Sequence, residues 1–132
     1  MTIDTLASWH RLVHERNIKG LDALLSENVV FYSPVLHTPQ VGKTLTTQYL
    51  TAAFQVLGDK SFRYVRELSG DHDAILEFQV EVDGISINGV DMIKWDGSGQ
   101  IVEFKALIRP LKAIDLLQKR MVVMLRANPQ DG

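Results

Sequence analysis

The residue in this sequence best placed to do chemistry is Asp91. It lies in the segment Ile85 to Trp95, which reads as a strand, and successive strand residues point to opposite faces. Asp91 therefore shares its face with Ile85, Ile87, Ile93 and Trp95, while Val90, Met92 and Lys94 take the other side. A carboxyl group among apolar neighbours is penalised for ionising, so its pKa should rise. It then either stays neutral and donates a hydrogen bond or sits poised as a base.

Other chemically suggestive spacings are weaker. His10 and His14 stand four apart, as helical metal ligands do, but Arg11 occupies the place where a zinc-hydrolase motif has its glutamate, and no third ligand is evident. A solvated pair on the outer helix face is expected, and no metal. Gly42-Lys43-Thr44 has the ending of a phosphate loop, yet His37 stands where that loop needs its first glycine, which excludes nucleotide binding. Ser33 lacks a Gly-x-Ser-x-Gly elbow. His37, in the loop Ser33 to Pro39, is a candidate to close over a pocket mouth, with an imidazole suited to proton transfer near neutral pH. The parity of Arg109 puts it on the outer face, where a salt bridge is expected.

The elements that position these residues follow from periodicity. Ile3, Leu6, Trp9 and Val13 mark an amphipathic helix to about Arg16, and Ile18, Leu21, Leu24 and Leu25 a shorter second one. Val29 to Tyr32 reads as a short strand ended by Pro34, followed by a loop through Pro39. Leu45, Tyr49, Ala52 and Val56 then recur with helical period up to Gly58. From Phe62 the period becomes two: Phe62 to Arg66, Ala74 to Val82, Ile85 to Trp95 and Ile101 to Ile108 read as strands. Asp83-Gly84 and Asp96 to Gly99 supply the hairpins. Pro110 opens a closing helix, and the tail from Asn128 to Gly132 is expected to fray. Three helices, a meander and a last helix make an α+β order, with one domain over residues 1–132. In the last strand Phe104, Ala106 and Ile108 face inward, leaving Glu77, Glu81, Lys94, Glu103 and Lys105 together outside.

Composition narrows the function classes. The chain has 132 residues, 45% hydrophobic and 23% charged, with a formal net charge of −2, so a real core is expected and a nucleic-acid or anionic-membrane partner is not. No cysteine is present, which excludes disulfides and thiolate chemistry. The opening residues do not resemble a signal peptide and no apolar run is long enough to span a membrane, so a cytoplasmic location is expected.

With these elements in place, the sequence resembles the nuclear transport factor two-like superfamily, in particular its SnoaL-like and ketosteroid-isomerase-related branch. The likeness runs from about Leu6 to Pro110 and rests on Asn28-Val29-Val30-Phe31-Tyr32-Ser33-Pro34, on the Gly42 that opens a helix, and on Gly89 to Asp96 followed by Gly99-Gln100-Ile101. It implies a cone: a curved, mixed and mainly antiparallel sheet wrapped around three helices, with an added C-terminal helix. Many members dimerise through the outer sheet face, so a homodimer is expected. In ketosteroid isomerases a tyrosine and a protonated aspartic acid form an oxyanion hole while a second aspartate moves the proton. A gap-free match puts the tyrosine at Trp9, the base at Ser33 and the acid at Asp91. Only the acid is retained, and a serine without an activating neighbour does not replace a carboxylate base.

Two readings follow. In the first, an apolar cavity holds a small hydrophobic ligand whose polar end Asp91 fixes; Trp9, Phe31, Tyr49 and Phe78 are expected to line it, with Ile93, Phe104 and Ile108 on the strands and Ser33 and His37 in the loop. In the second, Asp91 works as acid or base in an isomerase, cyclase, hydrolase or dehydratase. No cofactor is expected in either. A second titratable group within hydrogen-bond reach of Asp91 discriminates them. A third reading, an interaction module, would use the outer sheet face instead.

Overall fold

A computed structural model describes residues 4–127. The expected start at Ile3 and the tail from Asn128 to Gly132 lie outside the described residues.

The first helix, α1 (Thr5–Glu15), begins where the Asp4 carboxylate accepts the Ala7 N–H at 3.1 Å. It ends where Arg16 turns left-handed, with φ of 52°, and the Asn17 N–H returns to the Leu12 carbonyl. Thr5, Trp9 and Leu12 are its buried residues. The second expected helix is shorter than Ile18 to Leu25: a 3-10 turn over Ile18–Gly20 leads into a single helical turn, α2 (Leu21–Leu24). Leu25 is already extended and starts β1 (Leu25–Tyr32), so the strand begins four residues before Val29. Its pairing shifts register between Leu25 and Val30, the irregularity that hid Ser26 to Asn28 from a reading based on alternation.

The loop after Tyr32 contains a short strand, β2 (Gln40–Val41), which pairs antiparallel with β1. Gly42, at φ 105°, then turns the chain into α3 (Lys43–Leu57), a conformation that favours glycine. The meander comprises β3 (Arg63–Ser69), β4 (Asp73–Val82), β5 (Ile85–Trp95) and β6 (Ile101–Arg109), and α4 (Leu111–Ala127) follows. Asp83 and Gly84 both have positive φ, 51° and 77°, as the type I′ hairpin requires.

The six strands form one mixed sheet in the order β2-β1-β6-β5-β4-β3. Among the described residues only the β1–β6 pairing is parallel, since β1 arrives from the helices and not from a hairpin. The inner face buries Leu76, Ile93, Ile101 and Phe104 against Trp9, Leu12, Leu21 and Leu25. A second cluster joins Phe78, Val80 and Ile87 to Ala113 at the start of α4, and a third packs Ala52 and Val56 of α3 against Leu117 and Met121 of α4. On the outer face Lys94 stands opposite Glu103, as parity predicts, and Arg66 reaches Glu77 at 3.4 Å. Arg109 donates to the Asn88 side chain at 3.4 Å and, among the described residues, forms no salt bridge. Among the described residues no helix is long and apolar enough to cross a membrane.

Candidate functional site

Asp91 sits in the middle of β5, between Leu76 of β4 and Ala106 of β6, with its side chain on the inner face. It is 8% exposed. Two residues earlier on the same face is Gly89, where a Cβ would stand 2.4 Å from the tip of Phe78 and 2.7 Å from Ile108. The absent side chain lets the Phe78 ring lie across β5.

Phe78 is in register with Tyr64 of β3, so Tyr64 reaches diagonally over β4 toward Asp91. The Tyr64 hydroxyl donates to Asp91 Oδ2 at 3.0 Å and accepts the indole N–H of Trp9 at 3.0 Å. The three residues form one directed chain, Trp9 to Tyr64 to Asp91. Among the described residues Tyr64 is the hydrogen-bond partner of the Asp91 carboxyl. Burial raises Asp91 from 3.8 to about 7, with the Tyr64 hydrogen bond opposing the rise. Burial likewise lifts the Tyr64 phenol well above its ordinary value, helped by the nearby Asp91 charge and opposed by the Trp9 hydrogen bond. Tyr64 is therefore a hydrogen-bond donor and not a base. When Asp91 is protonated its own O–H can donate back to the phenol oxygen, which has two acceptor sites, and Tyr64 is then free to donate into the cavity.

The space in front of this pair is a cavity of about 550 Å³ bounded by Trp9, Phe31, Phe54, Phe62, Phe78 and Phe104. That volume suits a small organic ligand. Phe62 stacks on Phe78 at 5.1 Å and meets Tyr64 edge-on at 5.2 Å, which fixes the ring that carries the hydroxyl. Leu117 and Met121 bring α4 to the wall.

Of the residues expected to line a pocket, Trp9, Phe31, Ser33, Phe78, Asp91 and Phe104 do so. Ser33 has its oxygen occupied by the Val35 N–H at 3.1 Å, as a turn serine does, and no base adjoins it. Four others are placed elsewhere. His37 is exposed in its loop. Tyr49 stacks on Phe31 within the core, Ile93 packs with Leu21 and Ile101 in the first cluster, and Ile108 packs toward α4. All three lie beside or beyond the aromatic ring that bounds the cavity.

The histidine pair is solvated as expected, with His14 exposed and the His10 side chain 37% exposed, but it does not stand on an outer face. His10 and His14 both border the cavity, and His10 Nε2 lies 2.5 Å from Glu67 Oε1 with its ring edge-on to Tyr64 at 5.4 Å. Strict alternation would put Glu67 on the face opposite Tyr64. A register shift between Tyr64 and Arg66 reverses the parity, so Tyr64 opposite Phe78 and Glu67 opposite Leu76 both point inward. Among the described residues no group of three or more acidic, histidine or cysteine side chains is placed to hold a metal ion. Lys43 is also committed elsewhere, donating to the Asp22 carbonyl at 2.7 Å and facing Glu27 at 3.5 Å.

The matched family agrees with this architecture. The SnoaL-like domain family matches residues 6–104, and the chain belongs to it. A steroid delta-isomerase from Pseudomonas aeruginosa is 33% identical, superposes with a TM-score of 0.89, and covers 94% of this chain and 90% of its own. An uncharacterized protein with a cystatin-like fold, conserved in bacteria, from Silicibacter pomeroyi is 29% identical with a TM-score of 0.86, over 93% of this chain and 86% of its own. A putative SnoaL-like polyketide cyclase from Shewanella denitrificans shares the fold at 16% identity and a TM-score of 0.66, over 87% of this chain and 95% of its own. No curated protein matches the sequence. The expected α+β cone of the nuclear transport factor two-like and cystatin-like type is thus the fold of this chain.

Proposed function

We propose that this protein binds a small, largely apolar molecule bearing one uncharged oxygen function, such as a ketone or hydroxyl, against Tyr64 and Asp91. The observation that carries the reading is the Trp9–Tyr64–Asp91 hydrogen-bond chain at the wall of an aromatic cavity. A buried polar chain with one outlet fixes the orientation of a ligand that apolar contacts alone would leave free to rotate. Native mass spectrometry of the protein released from cells tests this: one bound organic molecule per chain is expected, and it should be absent when Ala106, which faces the cavity, is replaced by Phe.

Acid–base turnover of the same molecule is the second reading, favoured by an Asp91 that changes protonation at about pH 7. The structure supplies Tyr64 as the second group beside Asp91, but as a donor, and Ser33 offers no base. In this reading Asp91→Asn abolishes turnover while leaving ligand affinity within a few fold.

We also propose a homodimer through the outer sheet face. Its support is a row of apolar side chains in register: Leu68, 62% exposed, lies opposite Ile75, Ile75 opposite Met92, and Leu107, 52% exposed, lies opposite Val90. Sedimentation at micromolar concentration should give a dimer for the wild type and a monomer for Ile75→Glu combined with Leu107→Glu. A monomeric wild type contradicts it.

A further inference from the structure

The cavity has a polar axis. Its wall carries Asp91, a carboxyl that an anion would repel once ionised, and the Tyr64 donor. Its mouth, between the C-terminal ends of α1 and α3, is edged by Arg16 and Lys60, with the Asp59 carboxylate, the imidazole of His14 and Arg63 also along the lining. Two further observations bring these cations together. The Arg16 guanidinium carbon lies 3.8 Å from the point where a Cβ on Gly58 would be, which places it beside the end of α3. Arg16 and Lys60 also both act on Asp59, whose carboxyl is held below its ordinary value first by the hydrogen bonds from Ser61 and then by these charges.

Asp59 does not use up the positive charge. Its carboxylate accepts the Ser61 N–H at 2.8 Å, and among the described residues neither Arg16 nor Lys60 forms a salt bridge. Of the other basic groups along the cavity, His10 is engaged by Glu67 and Arg63 donates to the Gln79 side chain at 2.9 Å. Two cations that form no salt bridge among the described residues therefore stand, with Asp59 beside them, at the mouth of an apolar chamber in a chain whose net charge is −2.

From this arrangement we propose that the ligand is an amphipathic anion: its uncharged oxygen end enters toward Tyr64 and Asp91, and its carboxylate, sulfonate or phosphate stays at the mouth against Arg16 and Lys60. The inference rests on the cavity reading above and adds the charge and direction of the ligand. An anionic group directed inward would meet Asp91 without water to screen the repulsion, whereas at the mouth it keeps its hydration and gains two cations.

The test compares two fluorescent probes of nearly the same shape, anilinonaphthalene sulfonate and uncharged phenylnaphthylamine. The sulfonate should bind at least about fivefold more tightly than the neutral probe, the sum of two exposed ion pairs. That preference should vanish in Arg16→Gln combined with Lys60→Gln, shrink as salt is raised to about 0.5 M, and persist in the distant Lys94→Gln. Displacement of the sulfonate by decanoate, decyl phosphate and decanol separates carboxylate from phosphate recognition, with decanol weakest. Equal affinities for both probes, or a preference that survives the double substitution, overturn the inference and leave the cavity reading standing. Failure of both probes to bind, or binding that Ala106→Phe leaves unchanged, defeats the cavity reading itself and this inference with it.

Discussion

Asp91→Asn should be more stable than the wild type at pH 8 and about equally stable at pH 4. The folded-state pKa of Asp91 lies above the ordinary carboxyl value, at about 7 against 3.8. Between those values the native state holds a proton that the unfolded chain has released, so wild-type stability falls as pH rises through that window. Below pH 4 the carboxyl is neutral in both states and the contribution is fully present; above pH 7 it is lost. The separation corresponds to about 4 kcal/mol across the full range. An asparagine keeps a carbonyl oxygen for the Tyr64 hydroxyl and removes the titration, so the variant escapes the loss. Denaturant unfolding of both proteins at pH 4, 6 and 8 measures it, because the other titrating groups cancel in the difference. Parallel stability curves would show that Asp91 is not buried as an isolated acid.

Tyr64→Phe should have the opposite character. Removing one oxygen leaves the Trp9 indole N–H without its acceptor and the Asp91 carboxyl without its donor. Each stranded buried group costs about 1–3 kcal/mol, so a loss of about 4 kcal/mol is expected at pH 8, and less at pH 4, where Asp91 is neutral. The Tyr64 hydrogen bond is also what holds Asp91 down against burial. Its removal should therefore move the Asp91 pKa above about 7, which a carboxyl carbon NMR titration reads directly. An unchanged or lower value would show that the phenol does not face the carboxyl in solution.

Much of the fold is legible in the sequence because it is written in local signals. The Trp9 face of α1, the positive-φ pair Asp83-Gly84 and the alternation of Leu76, Phe78, Val80 and Val82 each reflect forces acting within a few residues. What escapes is set by distant partners. The parallel seat of β1 beside β6 depends on register between elements far apart in the chain, and the two-residue β2 is defined by its pairing with β1.

The site divides in the same way. Asp91 is legible from strand parity alone, and Tyr64 shares the inward parity of Phe62 and carries a hydroxyl that needs a partner. That the partner is Asp91 depends on the order β5-β4-β3, which no local pattern states. Glu67, the partner of His10, is hidden by the register shift after Tyr64, which inverts the alternation. The gap-free match carries a family tyrosine onto Trp9, whose indole donates to Tyr64, a phenol on a different element. Tyr49, Ile93 and Ile108 have the composition of lining residues but pack within the core clusters.

In the proposed function the Tyr64–Asp91 pair anchors an oxygen of an apolar ligand inside the cavity. This anchoring is tested most directly with a naphthalene fluorophore bearing a ketone, titrated at pH 6 into the wild type and Tyr64→Phe. Saturable binding of one molecule per chain is expected for the wild type, with an affinity about tenfold lower in the variant, the loss of one buried hydrogen bond. Equal affinity in the two proteins, or no binding by either, contradicts it.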